Sequence, residues 1–170
     1  MNLPAIFTLP MPTDTHIPEK YQHVLNQLRR YCGYQERCLF DLRQKARQLG
    51  LTYHELDTLL PVLEAEGFYD EARFAEFFAG GKFRIKKWGR RKIRLRLREK
   101  QVPAPLIESA LATISEEDYR DTLRRLIRQK MREYGGDPQT KFAKLRRFIE
   151  QRGFEYELFR QEFEKLYPRK

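Results

Sequence analysis

Cysteine, histidine and tryptophan are scarce in this sequence and long apolar runs are missing. Each shortage excludes something. There are two cysteines, Cys32 and Cys38, in 170 residues. Without further cysteines or a histidine at ligand spacing they fit neither a zinc site nor a disulfide framework. They read as reduced, half-buried thiols of a cytosolic protein. No stretch approaches the roughly 18 to 20 apolar residues that a membrane-spanning helix needs. The N-terminus has no basic segment followed by an apolar one, so neither a membrane location nor export is expected. The three histidines, His16, His23 and His54, stand alone in polar contexts and read as surface or capping side chains. There is no glycine-rich phosphate loop, no His-Glu-x-x-His, and no nucleophile spaced with a histidine and an acid. Asp70 and Glu71 are neighbours, but neighbours on a helix point about 100° apart and make no acid/base pair. No catalytic residue, metal or cofactor is assigned.

What is abundant is positive charge, and it is concentrated. Lys and Arg number 34 against 24 Asp and Glu, a net charge of +10. Between Lys82 and Lys100 stand eleven basic residues and one acid, Glu99, so these nineteen positions hold the whole excess. With 41% hydrophobic and 13% aromatic residues, the chain has enough apolar surface to fold.

The apolar positions repeat at an offset of 51 or 52 residues. Leu51, Val102 and Phe154 correspond, as do Leu56, Ile107 and Phe159, then Leu60, Leu111 and Phe163, then Leu63, Ile114 and Leu166. Upstream, Leu42, Ile93 and Leu145 align, followed four residues later by Ala46, Leu97 and Ile149. Val24, Ala75 and Ile127 align more loosely in a first helix. Spacings of three and four are helical. The expected fold is therefore all-α: three tandem three-helix repeats packed in series, elongated or curved. The units span residues 18–67, 68–115 and 116–170, after an N-terminal extension over 1–17. A fifty-residue unit has little core of its own, so neighbours should pack together.

Start and stop signals agree. Pro18 suits a first helical turn, Thr52 and Glu55 form a capping box, and Gly67 stops the helix that follows. Ser115 and Asp137 are N-caps, the latter with Pro138 at the first helical position, and Gly135 and Gly136 end the helix between them. Pro61 should kink or split the helix begun at Thr52. Phe83, Ile85, Ile93, Leu95 and Leu97 alternate with basic residues as a strand would. The repeat register nonetheless puts Ile93 and Leu97 on a buried helical row.

With Ile93 and Leu97 inward, Arg91, Arg94 and Arg98 fall within about 60° of one another, and Lys87 joins them if the helix continues through Gly89. This cationic stripe suits a polyanion. Trp88 and Phe83 lie inside the block, where they either stack on bases or pack between helices. Glu55, Asp57, Glu64, Glu66, Asp70, Glu71 and Glu76, with Arg73 the one base among them, give an acidic segment just before the block. It is a candidate protein-docking surface. A helix-turn-helix reading is disfavoured, because the segment that would enter the major groove, Pro103 to Ile114, has no Lys or Arg and carries Glu108.

Gly67-Phe68-Tyr69-Asp70-Glu71-Ala72-Arg73-Phe74-Ala75, then Trp88-Gly89-Arg90-Arg91-Lys92-Ile93 and Leu97, resemble the RecX family of recombinase regulators. Lys144-Leu145, Phe148-Ile149 and Arg152-Gly153-Phe154 resemble its repeats. The resemblance covers roughly residues 20 to 167. It implies a cytoplasmic, non-catalytic protein, monomeric when free, that binds the RecA recombinase and its filament on single-stranded DNA. It also implies modulation, mainly inhibition, of RecA's ATPase, strand-exchange and coprotease activities in recombination, DNA repair and the SOS response. Asp70, Phe74, Ala75, Ile93 and Leu97 are expected as packing positions of the motif. Lys82, Arg84, Lys86, Lys87, Arg90, Arg91, Arg94 and Arg98 are expected to face RecA or DNA. The alternative is a general DNA-binding protein acting through the same basic face without RecA. Gln101 departs from the family, which usually has glycine there, and should alter the turn into the next helix.

Overall fold

The computed structural model describes residues 17–168. His16 and all of the N-terminal extension but its last residue lie outside the described residues. Within them the periodicity of three and four becomes nine helices and no strand: α1 (Glu19–Tyr34), α2 (Leu39–Gln48), α3 (Tyr53–Ala65), α4 (Glu71–Lys86), α5 (Arg90–Glu99), α6 (Ala104–Ala112), α7 (Glu116–Glu133), α8 (Pro138–Arg152) and α9 (Tyr156–Leu166). The fold is all-α and built of helical repeats. The alternating segment is helical too. Ile93 and Leu97 are 0% exposed and Leu95 is 54% exposed, as one face of a helix requires.

Local chemistry sets most boundaries. Thr52 accepts from the Glu55 amide while Glu55 caps the Thr52 amide, closing the capping box on α3. Asp70, Ser115 and Asp137 cap α4, α7 and α8 through their side-chain oxygens. Asp70 thus has a cap to make rather than a place in the core. Pro61 does not split α3, which runs unbroken from Tyr53 to Ala65. Its ring faces solvent, where water can serve the carbonyl that its missing amide leaves free. α7 ends at Glu133, just ahead of Gly135 and Gly136.

The corresponding positions form the interior. Leu42, Ile93 and Leu145 are fully buried, as are Ala46, Leu97 and Ile149. Burying each Leu or Ile side chain stabilises the fold by about 1.5–3 kcal/mol relative to exposure. Phe74 and Ala75 of α4 are buried as well. The interior divides into two clusters. One holds α1 to α3 with Tyr69, around Leu25, Leu28, Leu56, Leu59 and Leu63. The other runs without interruption through α4 to α9 and takes in Cys38. Both cysteines are reduced and buried rather than half-buried, and burial pushes the Cys32 thiol up to about 11 and Cys38 to about 12.

Candidate nucleic-acid interface

The basic block forms three pieces. Lys82, Arg84 and Lys86 occupy the last turns of α4, Lys87 stands in a left-handed cap with φ 53°, and Arg90 to Arg98 lie on α5. The helix does not continue through Gly89, so Lys87 does not join the α5 stripe. Its ammonium instead donates to the Arg84 carbonyl at 2.6 Å.

The break at Gly89 follows from an approach of backbones. The Gly89 amide donates to the Arg152 carbonyl at 2.7 Å, and the Arg91 amide to the Gly153 carbonyl at 3.1 Å. A Cβ on Gly89 would stand 2.2 Å from that carbonyl oxygen, so glycine is required. The α4–α5 loop is thereby clamped onto the α8–α9 loop. Arg152 tightens the clamp by donating to the Lys86 carbonyl, and Lys92 reaches the Gln151 carbonyl at 3.0 Å.

This clamp sets α5 beside the C-terminal end of α8 and opens a groove of about 730 Å³ between them. Arg91, Arg94 and Arg98 all line it, joined by Lys92 and Arg96. The cations differ in how free they are. Arg94 makes a two-pronged pair with Glu108 of α6, Nε to Oε1 at 2.7 Å and Nη2 to Oε2 at 2.8 Å. That hydrogen bond raises the Arg94 pKa and lowers that of Glu108. Arg96 pairs with Glu99 at 2.7 Å. Arg90 is a structural stitch: it binds Glu116 at 2.8 Å, reaches the Ile114 carbonyl at 2.9 Å and lies 4.2 Å over the Tyr119 ring. Arg91 and Arg98 are exposed and have no carboxylate partner among the described residues. Arg84 and Lys86 are exposed as well, on the α4 side.

Neither aromatic of the block is a free stacking platform. Phe83 is 7% exposed and Trp88 packs partly buried on the larger core. Lys82 and Lys92 sit over the Trp88 ring at 5.4 and 4.8 Å. The acidic segment is also largely spent internally. Glu55 caps α3 and accepts from the Tyr21 hydroxyl, Glu66 pairs with Arg29, Asp70 caps α4, and Glu71 accepts from the Leu39 amide and the Tyr69 hydroxyl. The Thr52 backbone and its neighbours hold the Glu55 carboxyl at about 2. Asp57, Glu64 and Glu76 remain exposed, too few for a docking surface.

A second cationic stripe, on α8, escaped the sequence reading. Lys144 and Arg147 of α8 are exposed, lie on the same stripe as Gln151, and have no ion pair among the described residues, whereas Arg146 pairs with Glu150. The three-and-four spacing of 144, 147 and 151 was the available signal. No group of side chains suited to a metal occurs among the described residues, and no helix there is long and apolar enough to cross a membrane.

Fold and groove define a class: a tandem three-helix-repeat protein in which the second helices of the middle and last units frame a cationic channel. Residues 70–111 match the family model for RecX, second three-helix domain. Regulatory protein RecX of Prosthecochloris aestuarii is 29% identical over 142 residues, covering 84% of this chain and 92% of that protein. Regulatory protein RecX of Chlorobaculum tepidum is 29% identical over 121 residues, covering 71% and 74%. The crystal structure of RecX from Lactobacillus salivarius shares the fold, with a TM-score of 0.80 at 18% identity over 88% of this chain and 98% of that one. The chain is thus similar to RecX proteins, by the family model in its middle unit and by sequence over most of its length.

Proposed function

We propose that the protein regulates RecA by binding its filament on single-stranded DNA, and that it lowers the filament's ATPase, strand-exchange and coprotease activities. The observation that carries this reading is the α5–α8 groove, in a chain whose relatives are named for regulation. Arg91 and Arg98 offer unpaired guanidiniums to phosphate on one wall, and beyond the groove Lys144 and Arg147 continue the positive charge along α8, on the stripe of Gln151. The contact is sequence-independent, because nothing in the groove is arranged to read base edges. The protein acts without catalysis, by occupying the filament and opposing its extension.

The test is RecA ATPase on single-stranded DNA with substoichiometric protein. Arg91→Glu with Arg98→Glu should abolish inhibition and leave the helical circular-dichroism signal intact, since neither side chain has an internal partner. Direct binding to a single strand should show a log–log salt slope near −4 for about six neutralised phosphates, and a shallower slope in the variant. DNA binding without any effect of the wild type on RecA would leave a general DNA-binding protein instead.

A further inference from the structure

α4 is apolar on two faces, and the core takes all of one but only Phe74 and part of Phe78 from the other. Ala75, Ala79 and Phe83 point into the larger core. On the other side Phe74, Phe77, Phe78, Gly81 and Ile85 follow one another at helical spacing. They line a groove of about 550 Å³ against Gln35 and Glu36 of the α1–α2 loop. Phe77 is 63% and Ile85 76% exposed, and Tyr34, at 84%, immediately precedes the loop that forms the far wall. Half of the large exposed hydrophobic residues among the described residues are these three. Such clustering marks an interaction surface.

Gly81 supplies an independent sign. Glycine inside a helix weakens it relative to alanine, and nothing lies within 4 Å of where its Cβ would be. No internal contact requires glycine there. The missing side chain only deepens the groove floor, and so serves something outside the chain.

We infer that this groove seats an amphipathic helix of a partner protein, with apolar residues on Phe77, Phe78 and Ile85 and carboxylates at the α4 C-terminal end. The charge pattern selects the occupant. Lys82 and Lys86 stand on the rim and favour acidic side chains. Glu36 on the opposite wall, whose Oε1 pairs with Arg73 at 2.8 Å, adds negative charge that disfavours phosphate there. A second copy would bring the same net charge of +10 to a lysine-rimmed surface. The inference rests on the RecA reading and assigns the groove the protein half of that contact. The acidic segment is a weaker match for this role, since four of its seven carboxylates are engaged internally.

Two variants of the full chain test it: Phe77→Ser with Ile85→Ser, and Gly81→Gln, which favours helix while filling the floor. Both are expected to keep the helical signal and the affinity for single-stranded DNA, and to raise the concentration needed to inhibit RecA ATPase by about tenfold or more. Unchanged inhibition by both variants overturns the groove while leaving the RecA reading in place. Parallel loss of DNA affinity overturns it in favour of nucleic acid. A wild-type dimer in sedimentation that the variants dissociate overturns it in favour of self-association. If the wild type itself does not inhibit, the RecA reading fails first, and this partner assignment falls with it.

Discussion

The first and third units follow one register and hold themselves in different ways. Unit one closes a core that borrows only Phe68 and Tyr69 from unit two, and polar pairs tie the two units together. Lys100 pairs with Asp41 at 2.8 Å, Arg73 with Glu36 at 2.8 Å, and the Leu39 amide with Glu71 at 2.7 Å. Cys38, buried, and Phe40, partly buried, are its contributions to the larger core. Unit three shares that core outright. The Tyr119 ring lies 5.9 Å from Phe83 and 4.9 Å from Phe154, its hydroxyl accepts from the Arg90 amide and donates to Glu155, and the backbones meet at Gly89 and Gly153. Units two and three thus form a single body that sets the cationic groove, while unit one is joined to it by polar pairs and a few apolar side chains.

The same turn exposes the difference most sharply. Gly50 and Gly153 precede the corresponding Leu51 and Phe154, with φ 79° and 86°. Around Gly50 there is open space, whereas a Cβ on Gly153 would stand 2.3 Å from Lys92 Cβ and 2.5 Å from its amide nitrogen. Gly50→Ala should cost about 1–2 kcal/mol of left-handed strain. Gly153→Ala adds an overpacked boundary, for a total on the order of 3–4 kcal/mol. Urea denaturation measures both. Equal losses would mean that the second boundary is no tighter than an open turn.

A second contrast lies one helix further on. Leu59 and Glu162 occupy the same register position and both are 0% exposed. Unit three therefore buries a carboxylate where unit one buries a hydrocarbon. Burial would raise the Glu162 pKa, but hydrogen bonds from Arg124 at 2.6 Å, Lys165 at 3.0 Å and Arg120 at 2.7 Å outweigh it and hold the group at about 2. Because the folded value lies below the ordinary 4.5, the stabilisation is complete above pH 4.5 and fades as pH falls towards 2. Glu162→Gln should cost roughly 2–3 kcal/mol at neutral pH, since Arg120 and Arg124 keep Glu116 and Asp121 as second partners. The cost should shrink over that acid window. A variant equally destabilised at pH 7 and pH 3 would mean that packing, not charge, holds the site.

The rows Leu42–Ile93–Leu145 and Ala46–Leu97–Ile149 were legible because apolar spacing is written locally and three copies correct one another. The caps at Thr52, Ser115 and Asp137 were legible for the same reason, since each acts on an amide two or three residues away. Charge partners were not. Arg94 finds Glu108 fourteen residues on, and Arg90 finds Glu116 twenty-six on. Counting charges along the chain therefore overstated both the free cations and the acidic surface. Glu162 between Phe159 and Phe163 looks like a solvated residue until α7 supplies its arginines. Gly89 stood out in the motif, but its reason, a carbonyl from another unit, has no trace in the local sequence.

Unit two carries the third copy of the turn, and there the comparison predicts a gain. Gln101 occupies the position of Gly50 and Gly153, and it adopts the same left-handed backbone, with φ 59°. The expected altered turn does not occur. The Gln101 amide bonds the Arg98 carbonyl at 2.8 Å and the Val102 amide the Leu97 carbonyl at 3.1 Å, closing α5 as a glycine would. Val102 is 5% exposed, and its burial outweighs the strain of a side chain in this conformation. Gln101→Gly should relieve that strain, partly offset by the greater freedom of glycine in the unfolded chain, for a net stabilisation of about 0.5–1 kcal/mol. Thermal unfolding should show a rise of a few degrees, roughly as that free energy scales for a chain of this size. A fall in the midpoint would mean that the exposed Gln101 side chain makes a contact worth more than the strain it imposes, and that the turn in unit two is held differently from those in units one and three.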